Sequence, residues 1–342
     1  MKTRLAIICL ALVSLGVLVG GCGPEGPTAE KPIELSYSNF FPPTHENSLA
    51  AESWIAEIEE RAGGRVKITY YPGGTLSPAD QCYDGAVEGI SDIGMTCLAY
   101  TRGRFPFMEG VDLPLGYPSG TVATRVVNDI YRKYMPEELS DTHVLYFHAH
   151  GPGLLHTNKP VNTIEDMEGM KIRCTGLAAK VVEALGGTPV AMSQGETTEA
   201  LQKGTVDGTF GPMEVLEGWK QAEVIDYTTN CYHIGYTTSM WVGMNLDKWN
   251  ALPEDIQQVF TEVSEEWVEV HARVWDDADA AGREYTLSLG NEIIELTDEE
   301  AERWVAAVQG LPDHYIADMK AAGLPGEELI DEAKKLIEEY SR

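Results

Sequence analysis

The stretch Gly169-Met170-Lys171-Ile172-Arg173 predicts a short strand that carries an arginine at its C-terminal end. Proteins of the α/β class bind ligands outside the C-terminal ends of their strands. A guanidinium at such an end presents two parallel donors in a rigid fork, which fits a carboxylate. The alternative is a surface arginine that pairs with one of the many acidic side chains. Arg173 is therefore the first candidate binding residue.

Strands and helices alternate on both sides of this stretch, which predicts sheets with helices on their faces. Before it, apolar alternation predicts strands at 33–37, 66–70, 92–96 and 143–149, and helical spacing predicts helices at 45–62, from 78 onward and at 119–134. After it, the same patterns predict strands at 170–174, 188–192, 206–210, 224–230, 232–238 and 240–246, with helices at 177–185, 197–203 and 213–222. The order indicates two α/β units in one chain.

One long helix is predicted near the end of the second unit. Leu252-Pro253-Glu254-Asp255 is a helix start signal with acidic residues in the first turn. No proline follows before Leu289, and Gly282 is the only glycine in that interval. A helix of some 35 residues is about 50 Å long, which exceeds the width of one domain. We therefore expect it to brace both units, followed by shorter helices at 298–308, 312–322 and 326–341.

Charge and cysteine content exclude several classes of function. The 342 residues contain 25 Lys and Arg against 54 Asp and Glu, which argues against nucleic-acid binding. Four cysteines follow the N-terminal segment, without a C-x-x-C pair, and argue against a zinc knuckle: Cys82, Cys97, Cys174 and Cys231. A Cys82–Cys97 contact and free thiols both remain open. No His and Asp cluster indicates a metal site.

The N-terminus predicts an export signal rather than part of the fold. Lys2 and Arg4 precede an apolar run, Leu5–Val19, that is short for a membrane span. The run ends in Val19-Gly20-Gly21-Cys22, which resembles a bacterial lipobox whose cysteine is lipidated. We predict a signal peptide at 1–21, lipidation of Cys22 and a tether at 22–32, which puts the protein in the periplasm or on the outer face of the cytoplasmic membrane. The alternative is an ordinary cleaved signal with an incidental cysteine.

Six stretches, in this order and spacing, resemble one family. They are ERAGGRVKI at 60–68, YPGGTL at 71–76, VDLP at 111–114, TIEDMEGMKIR at 163–173, ALQKGTVDG at 200–208 and WNALP at 249–253. The family is the extracytoplasmic solute-binding subunits of tripartite ATP-independent periplasmic (TRAP) transporters, of the C4-dicarboxylate-binding type. The resemblance covers roughly residues 33–262, which is most of the mature chain.

The resemblance implies a periplasmic-binding-protein-like α/β fold, with two α/β lobes joined by crossing strands and one long lobe-bridging helix. We assign lobe I to 33–150 plus about 239–278, and lobe II to 151–238 plus about 279–342 with the C-terminal helices. The implied function is capture of an organic acid and its delivery to a small and a large membrane subunit. Neither ATP, nor another cofactor, nor covalent chemistry is implied, so we do not expect an enzyme.

In that family, the arginine at the position of Arg173 pairs with the ligand's carboxylate. Many relatives carry a second arginine about twenty residues earlier, where this chain has His150-Gly151-Pro152-Gly153-Leu154. Relatives also place an acid and an asparagine after Val-Asp-Gly, where this chain has Thr209-Phe210-Gly211. Both departures favour a monocarboxylate with an apolar body. A C4-dicarboxylate stays an alternative, because a histidine could supply the second contact.

Further candidate contacts follow from their positions at strand ends or near the crossing strands. They are Asn39, Phe40, Cys97, Tyr100, His150, His233 and Trp241, alongside Thr209, Phe210 and Gly211. Plain packing is the alternative for each of them. An enzyme is disfavoured because Gly-x-Ser-x-Gly, His-Glu-x-x-His and glycine-rich phosphate-loop motifs are absent from the sequence. A binding protein for another transporter or a sensor is the remaining alternative.

Overall fold

The computed structural model describes residues 31–101 and 103–342. The predicted signal peptide, Cys22 and nearly all of the predicted tether lie outside these residues. Within the described part of the chain, no helix combines the length and the apolar character needed to cross a bilayer. The fold is built by Pro32–Arg342.

The described residues form two sets of regular elements. The strands are β1 (Ile33–Asn39), β2 (Val66–Tyr71), β3 (Ile93–Cys97), β4 (Thr142–Ala149), β5 (Leu154–Thr157), β6 (Lys171–Cys174), β7 (Thr188–Ala191), β8 (Gly208–Gly211), β9 (Tyr227–Asn230), β10 (Ser239–Asn245) and β11 (Glu292–Glu295). The helices are α1 (Glu46–Arg61), α2 (Cys82–Val87), α3 (Gly120–Tyr134), α4 (Ala178–Ala184), α5 (Gln194–Gln202), α6 (Val215–Gly218), α7 (Leu246–Ala251), α8 (Glu254–Ser288), α9 (Asp298–Val308), α10 (Leu311–Ala322) and α11 (Gly326–Tyr340).

Two mixed sheets organise these elements. The first has the strand order β2-β1-β3-β10-β4, and the second has the order β11-β9-β5-β8-β6-β7. We call the parts built on them lobe I and lobe II. The chain leaves lobe I after β4, and it returns after β9 so that β10 lies antiparallel between β3 and β4. The two sheets and this crossing confirm the predicted class, a periplasmic-binding-protein-like α/β fold of two lobes.

The long helix is confirmed as α8, with 35 residues. It packs against α1, α3 and β4 in lobe I and against α6 in lobe II, so it contacts both lobes. Gly282 lies where α8 meets lobe II, and a Cβ there would be 2.2 Å from the carbonyl oxygen of Met213. The glycine therefore permits the close approach of α8 to lobe II.

The C-terminal helices are divided between the lobes, whereas the sequence predicts all of them in lobe II. Trp304 of α9 lies in the lobe II core. Tyr315 of α10 and Leu329 of α11 pack into the core of lobe I, and the hydroxyl of Tyr315 donates to the carbonyl of Phe107 at 2.8 Å. Apolar periodicity correctly gave the helices, but it carries no information on which surface an amphipathic helix covers.

The predicted strand at 232–238 is wrong. This segment is the crossing between lobes, and Gly235 adopts a positive φ of 54° that interrupts extended backbone. Its carbonyl accepts from the amides of Gly116 and Tyr117 at 3.2 and 3.0 Å. Alternating side chains therefore reflect burial on both sides of a crossing segment rather than pairing in a sheet.

The four cysteines of the described residues are buried, and no disulfide joins any of them. Burial raises the pKa of the Cys82 thiol to about 11 and that of Cys231 to about 12. Thiols in this state are protonated at neutral pH and react slowly, so they act as packing groups.

Candidate ligand-binding site

A cavity lies between the lobes at the ends of their strands. Lobe I contributes residues that follow β1, β3 and β4, and lobe II contributes residues that follow β6 and β8. The space open to the centre of a water-sized sphere is about 40 Å³. A cavity needs about 10–15 Å³ by this measure to hold one water, so the cavity accommodates only a small molecule in this arrangement of the lobes.

Arg173 is the one lysine or arginine among the described residues that line this cavity. Arg173 is 4% exposed, and it is the only buried lysine or arginine among the described residues. Nε and Nη2 both donate to the carbonyl of Met192, at 3.2 and 3.1 Å. No acidic side chain of the described residues forms an ion pair with it. Buried charges are almost always paired, so an acid-free guanidinium at a cavity makes Arg173 the candidate anion-binding residue.

Tyr100 and Gln194 surround the guanidinium from opposite lobes. The Tyr100 hydroxyl accepts from the backbone amide of Gln194 at 3.1 Å. Burial raises the pKa of Tyr100 above its ordinary value, although Arg173 opposes the shift, so the hydroxyl keeps a proton to donate. Gln194 begins α5, and its Nε2 is buried without a partner in the described structure. A helix N-terminus and two further donors therefore add to the positive character of this end of the cavity.

Aromatic rings form the walls beyond this charged end. Phe40 stacks on Phe41 with centroids 4.4 Å apart, and Trp219 lies 6.3 Å from Phe40 across the lobe boundary. Phe210 stacks on Tyr236 at 4.9 Å with an interplanar angle of 16°. Flat apolar faces of this kind suit a flat apolar ligand body.

His150 is neutral and does not replace the missing second arginine. Burial, with a smaller contribution from the nearby Arg173, lowers the pKa of His150 to about 4. Its Nδ1 donates to the carbonyl of Gly151, because a carbonyl oxygen can only accept. Nε2 is then an acceptor, so His150 can receive a hydrogen bond from a ligand hydroxyl but cannot balance a second carboxylate.

The two glycines after His150 explain why no larger side chain is found there. A Cβ on Gly153 would lie 1.8 Å from the ring of Tyr236, and one on Gly151 would lie 2.1 Å from Oδ2 of Asp279. An arginine at position 153 would displace Tyr236, which stacks on Phe210 in the cavity wall. The aromatic wall of this chain therefore leaves no room for a second cation at position 153.

The structure brings seven of the sequence-predicted residues together at the cavity. They are Phe40, Cys97, Tyr100, His150, Arg173, Phe210 and Gly211. This grouping follows from the rule that strand ends of both lobes face the cleft.

Four predicted residues lie elsewhere. Asn39 is turned into the backbone, where Oδ1 accepts from the Phe41 amide at 2.9 Å. Thr209 is buried within β8, His233 is exposed on the crossing segment, and Trp241 packs in the lobe I core 4.6 Å from Tyr83. The side chain of each faces the core, its own backbone or solvent, which strand position alone does not reveal.

Several cavity residues were not predicted. They are Phe41, Thr175, Gln194, Pro212, Glu214, Val215, Trp219, Tyr236, Thr238, Met240 and Trp275. Gln194 was detectable, because Ser193 and Glu196 form a capping-box signature directly after a predicted strand. Trp219 and Tyr236 were hidden by the wrong boundaries of the segments that contain them.

Comparison with known proteins identifies the family of this chain. A model of the bacterial extracellular solute-binding proteins, family 7, matches residues 37–318. The solved structure of a TRAP solute-binding protein from Rhodoferax ferrireducens T118 in complex with copurified benzoate is 29% identical with a TM-score of 0.86, and the match covers 90% of this chain and 98% of that one.

Two further relatives differ in their ligands. A marine metagenome TRAP solute-binding protein specific for aromatic acid ligands, solved with 3-hydroxybenzoate, is 28% identical with a TM-score of 0.86 over 91% of this chain and 100% of that one. The C4-dicarboxylate-binding periplasmic protein DctP of Vibrio cholerae serotype O1 is 24% identical over 81% of this chain and 84% of that one. The chain belongs to family 7 of the bacterial extracellular solute-binding proteins, periplasmic proteins that bind small organic acids for the membrane subunits of TRAP transporters and are not enzymes.

Proposed function

We propose that this protein captures a monocarboxylate with an aromatic or similarly flat apolar body. The observation that carries the proposal is the buried, acid-free Arg173 at one end of an aromatic cavity. In this proposal the guanidinium and the Tyr100 hydroxyl hold the carboxylate, and the ligand body lies between the Phe40–Phe41 and Phe210–Tyr236 pairs. The ligands of the two aromatic-acid relatives, benzoate and 3-hydroxybenzoate, agree with this arrangement.

A C4-dicarboxylate is the second candidate, and the Vibrio cholerae relative supports it. Against it stands the charge of the cavity, since Arg173 is the only buried cation in the described residues and His150 is neutral. A second carboxylate would meet aromatic rings instead of a partner, so we favour the monocarboxylate. The family match to TRAP proteins gives no support to the alternative of another transporter or a sensor.

Thermal-shift measurement against a panel of organic acids tests the proposal. A ligand that binds only the folded protein raises the melting temperature by mass action. Benzoate, 3-hydroxybenzoate and cyclohexanecarboxylate at millimolar concentration are expected to raise it, and calorimetry should then give one site per chain. A panel in which no monocarboxylate shifts the melting temperature while succinate does would refute the proposed ligand class.

Gly176 provides a test of lobe closure. It has a φ of 50°, and a Cβ there would lie 2.6 Å from the Cβ of Ala99 in the other lobe. Gly176→Ala is therefore expected to hold the lobes apart and to weaken benzoate binding at least 10-fold in calorimetry. Gly169 has a φ of 77°, and a Cβ there would have nothing within 4 Å, so Gly169→Ala imposes similar backbone strain without the contact.

Both glycine variants should lose about 1–2 kcal/mol of unfolding free energy, because both put a side chain in the left-handed region. Only Gly176→Ala should lose affinity. Equal affinities for the two variants would show that the Ala99 contact does not limit closure.

We also propose that Cys22 carries a lipid that tethers the mature protein to a membrane. The support is the Val19-Gly20-Gly21-Cys22 sequence alone, since these positions lie outside the described residues. Cys22→Ser is expected to move the protein from the membrane fraction to the soluble periplasmic fraction, as judged by fractionation and by the mass of the N-terminal peptide. An unmodified peptide in the native protein would end this proposal without affecting the ligand site.

A further inference from the structure

One contact joins the two lobes beside the cavity without belonging to its charged end. His45 caps the N-terminus of α1 in lobe I, and Glu214 immediately precedes α6 in lobe II. The Nε2 atom of His45 contacts Oε1 of Glu214, and the two side chains are only 1% and 3% exposed. An interlobe polar contact this deeply buried is protected from water only while the lobes are together.

Hydrogen bonds assign the tautomer of His45. Its Nδ1 accepts from the backbone amide of Asn47 at 3.2 Å, so Nδ1 carries no proton. The proton is then on Nε2, which donates to the Glu214 carboxylate. The imidazole thus caps α1 with one nitrogen and binds lobe II with the other, and the carboxylate makes the second bond a charge-assisted one.

Glu214 is held from the side of α8. Its backbone amide donates to Oδ1 of Asp279 at 2.8 Å. Burial raises the pKa of Asp279 to about 8, and the neighbouring Glu214 and Asp276 contribute to the shift. Asp279 therefore anchors the backbone at Glu214 to α8, beside the side chain that meets His45.

The same contact adjoins the aromatic wall. The ring of His45 lies 4.4 Å from that of Phe41 and 5.6 Å from that of Trp219, and both of these rings also line the cavity. A Cβ on Gly218 would be 2.6 Å from Nε2 of His45, so the last residue of α6 packs closely against the imidazole. A ligand that brings Phe41 and Trp219 together in the cavity therefore also brings His45 close to Glu214.

We propose that His45 and Glu214 are positioning residues that form a latch, the contact that stabilises the closed arrangement of the lobes and retards escape of the ligand. The latch rests on the proposed function only in the choice of benzoate as the probe. It predicts that breaking the contact accelerates dissociation and leaves association nearly unchanged, because the encounter takes place with the lobes apart.

His45→Asn is the most selective variant. Asparagine is a good helix cap, so it can still accept from the Asn47 amide, but it is too short to reach Glu214. Glu214→Ala removes the other partner, and Glu214→Gln keeps an oxygen that can accept from the neutral imidazole. His314→Asn is the matched control, because His314 is exposed on α10.

Stopped-flow tryptophan fluorescence with benzoate should show dissociation at least 10-fold faster for His45→Asn and for Glu214→Ala. The double variant should be no worse than either single variant, and Glu214→Gln should recover much of the loss. His314→Asn should behave as the parent. Dissociation rates within 2-fold of the parent in both single variants would overturn the latch.

A second measurement does not depend on the acid site. Lys67 in lobe I and Lys203 in lobe II have side chains that are 62% and 65% exposed, and each can be replaced by a spin-labelled cysteine. Distances between the labels should include a short, closed population that His45→Asn and Glu214→Ala deplete. If no monocarboxylate of the panel binds the parent, the proposed function fails, while the closed population of the ligand-free protein still tests the latch. A single long distance in every protein, with and without benzoate, also overturns the latch.

Discussion

Replacing Arg173 by glutamine is expected to abolish measurable binding of the acid while leaving the fold intact. Removing one partner of a buried, hydrogen-bonded charge pair costs about 2–5 kcal/mol, because the other charge is left without a partner. That range is roughly a 30- to 4,000-fold loss of affinity. Calorimetric titration with benzoate measures it directly.

The same substitution should not lower the melting temperature of the ligand-free protein. Arg173 is buried with two neutral partners, the Met192 carbonyl and the Tyr100 hydroxyl, and with no carboxylate among the described residues, so its desolvation is poorly compensated inside the protein. Arg173→Gln therefore separates binding from stability. A merely structural arginine would give the opposite result, an unstable protein that still binds.

Arg132→Gln is the matched control, because Arg132 is 51% exposed and pairs with Asp129 on the same helix. It should change neither affinity nor melting temperature appreciably, since exposed pairs contribute little. Arg173→Lys adds a second comparison, as it keeps the charge but loses the two-pronged geometry. Unchanged benzoate affinity in Arg173→Gln would refute the site.

Succinate is expected to bind at least 100-fold more weakly than benzoate. Its first carboxylate can use Arg173, but its second would be buried among the aromatic rings that begin with Phe40 and Phe210. An unpaired buried carboxylate costs several kcal/mol even after relaxation, and His150 is neutral and offers no charge to offset that cost. Competition calorimetry measures the ratio of affinities.

Butanoate is the control for size, since it has the same chain length as succinate and lacks only the second charge. It should bind more tightly than succinate, although more weakly than benzoate because it covers less of the aromatic wall. Succinate binding as tightly as benzoate would show that the cavity reorganises to supply a second donor, and the interpretation of Phe210 and Gly153 would then be wrong.

The sequence predicted the fold well wherever one local signal was enough. Proline and two acids began α8 at Glu254, and the absence of further breakers carried it to Ser288. Local signals failed where the partner surface decided the outcome. The spacing of apolar residues in α11 predicts a helix, but it does not predict that the helix packs on lobe I. The apolar alternation at 232–238 likewise does not show that Gly235 has a positive φ.

The site residues at strand ends could be predicted from the sequence, but those from irregular segments could not. Arg173 and Tyr100 lie at or just after strand ends, so their presence at the cleft follows from the rule for strand ends. Trp219 and Tyr236 come from irregular segments whose course depends on contacts with the other lobe. Trp241 lies on a strand, β10, as its sequence pattern predicts, but its ring faces the core and not the cavity. The side that the ring occupies depends on how β10 inserts antiparallel into the first sheet.

The helix α8 contributes Trp275 to the cavity and Asp279 to the support of Glu214, one turn apart. An α-helix resists stretching and bends only gently unless proline, glycine or an inserted group interrupts it. The two halves of the molecule therefore cannot slide apart along this rod. We therefore expect the lobes to separate by rotation about α8 or by bending of this helix near Gly282. The orientation of α8 would then set the direction in which the cavity opens toward a transporter.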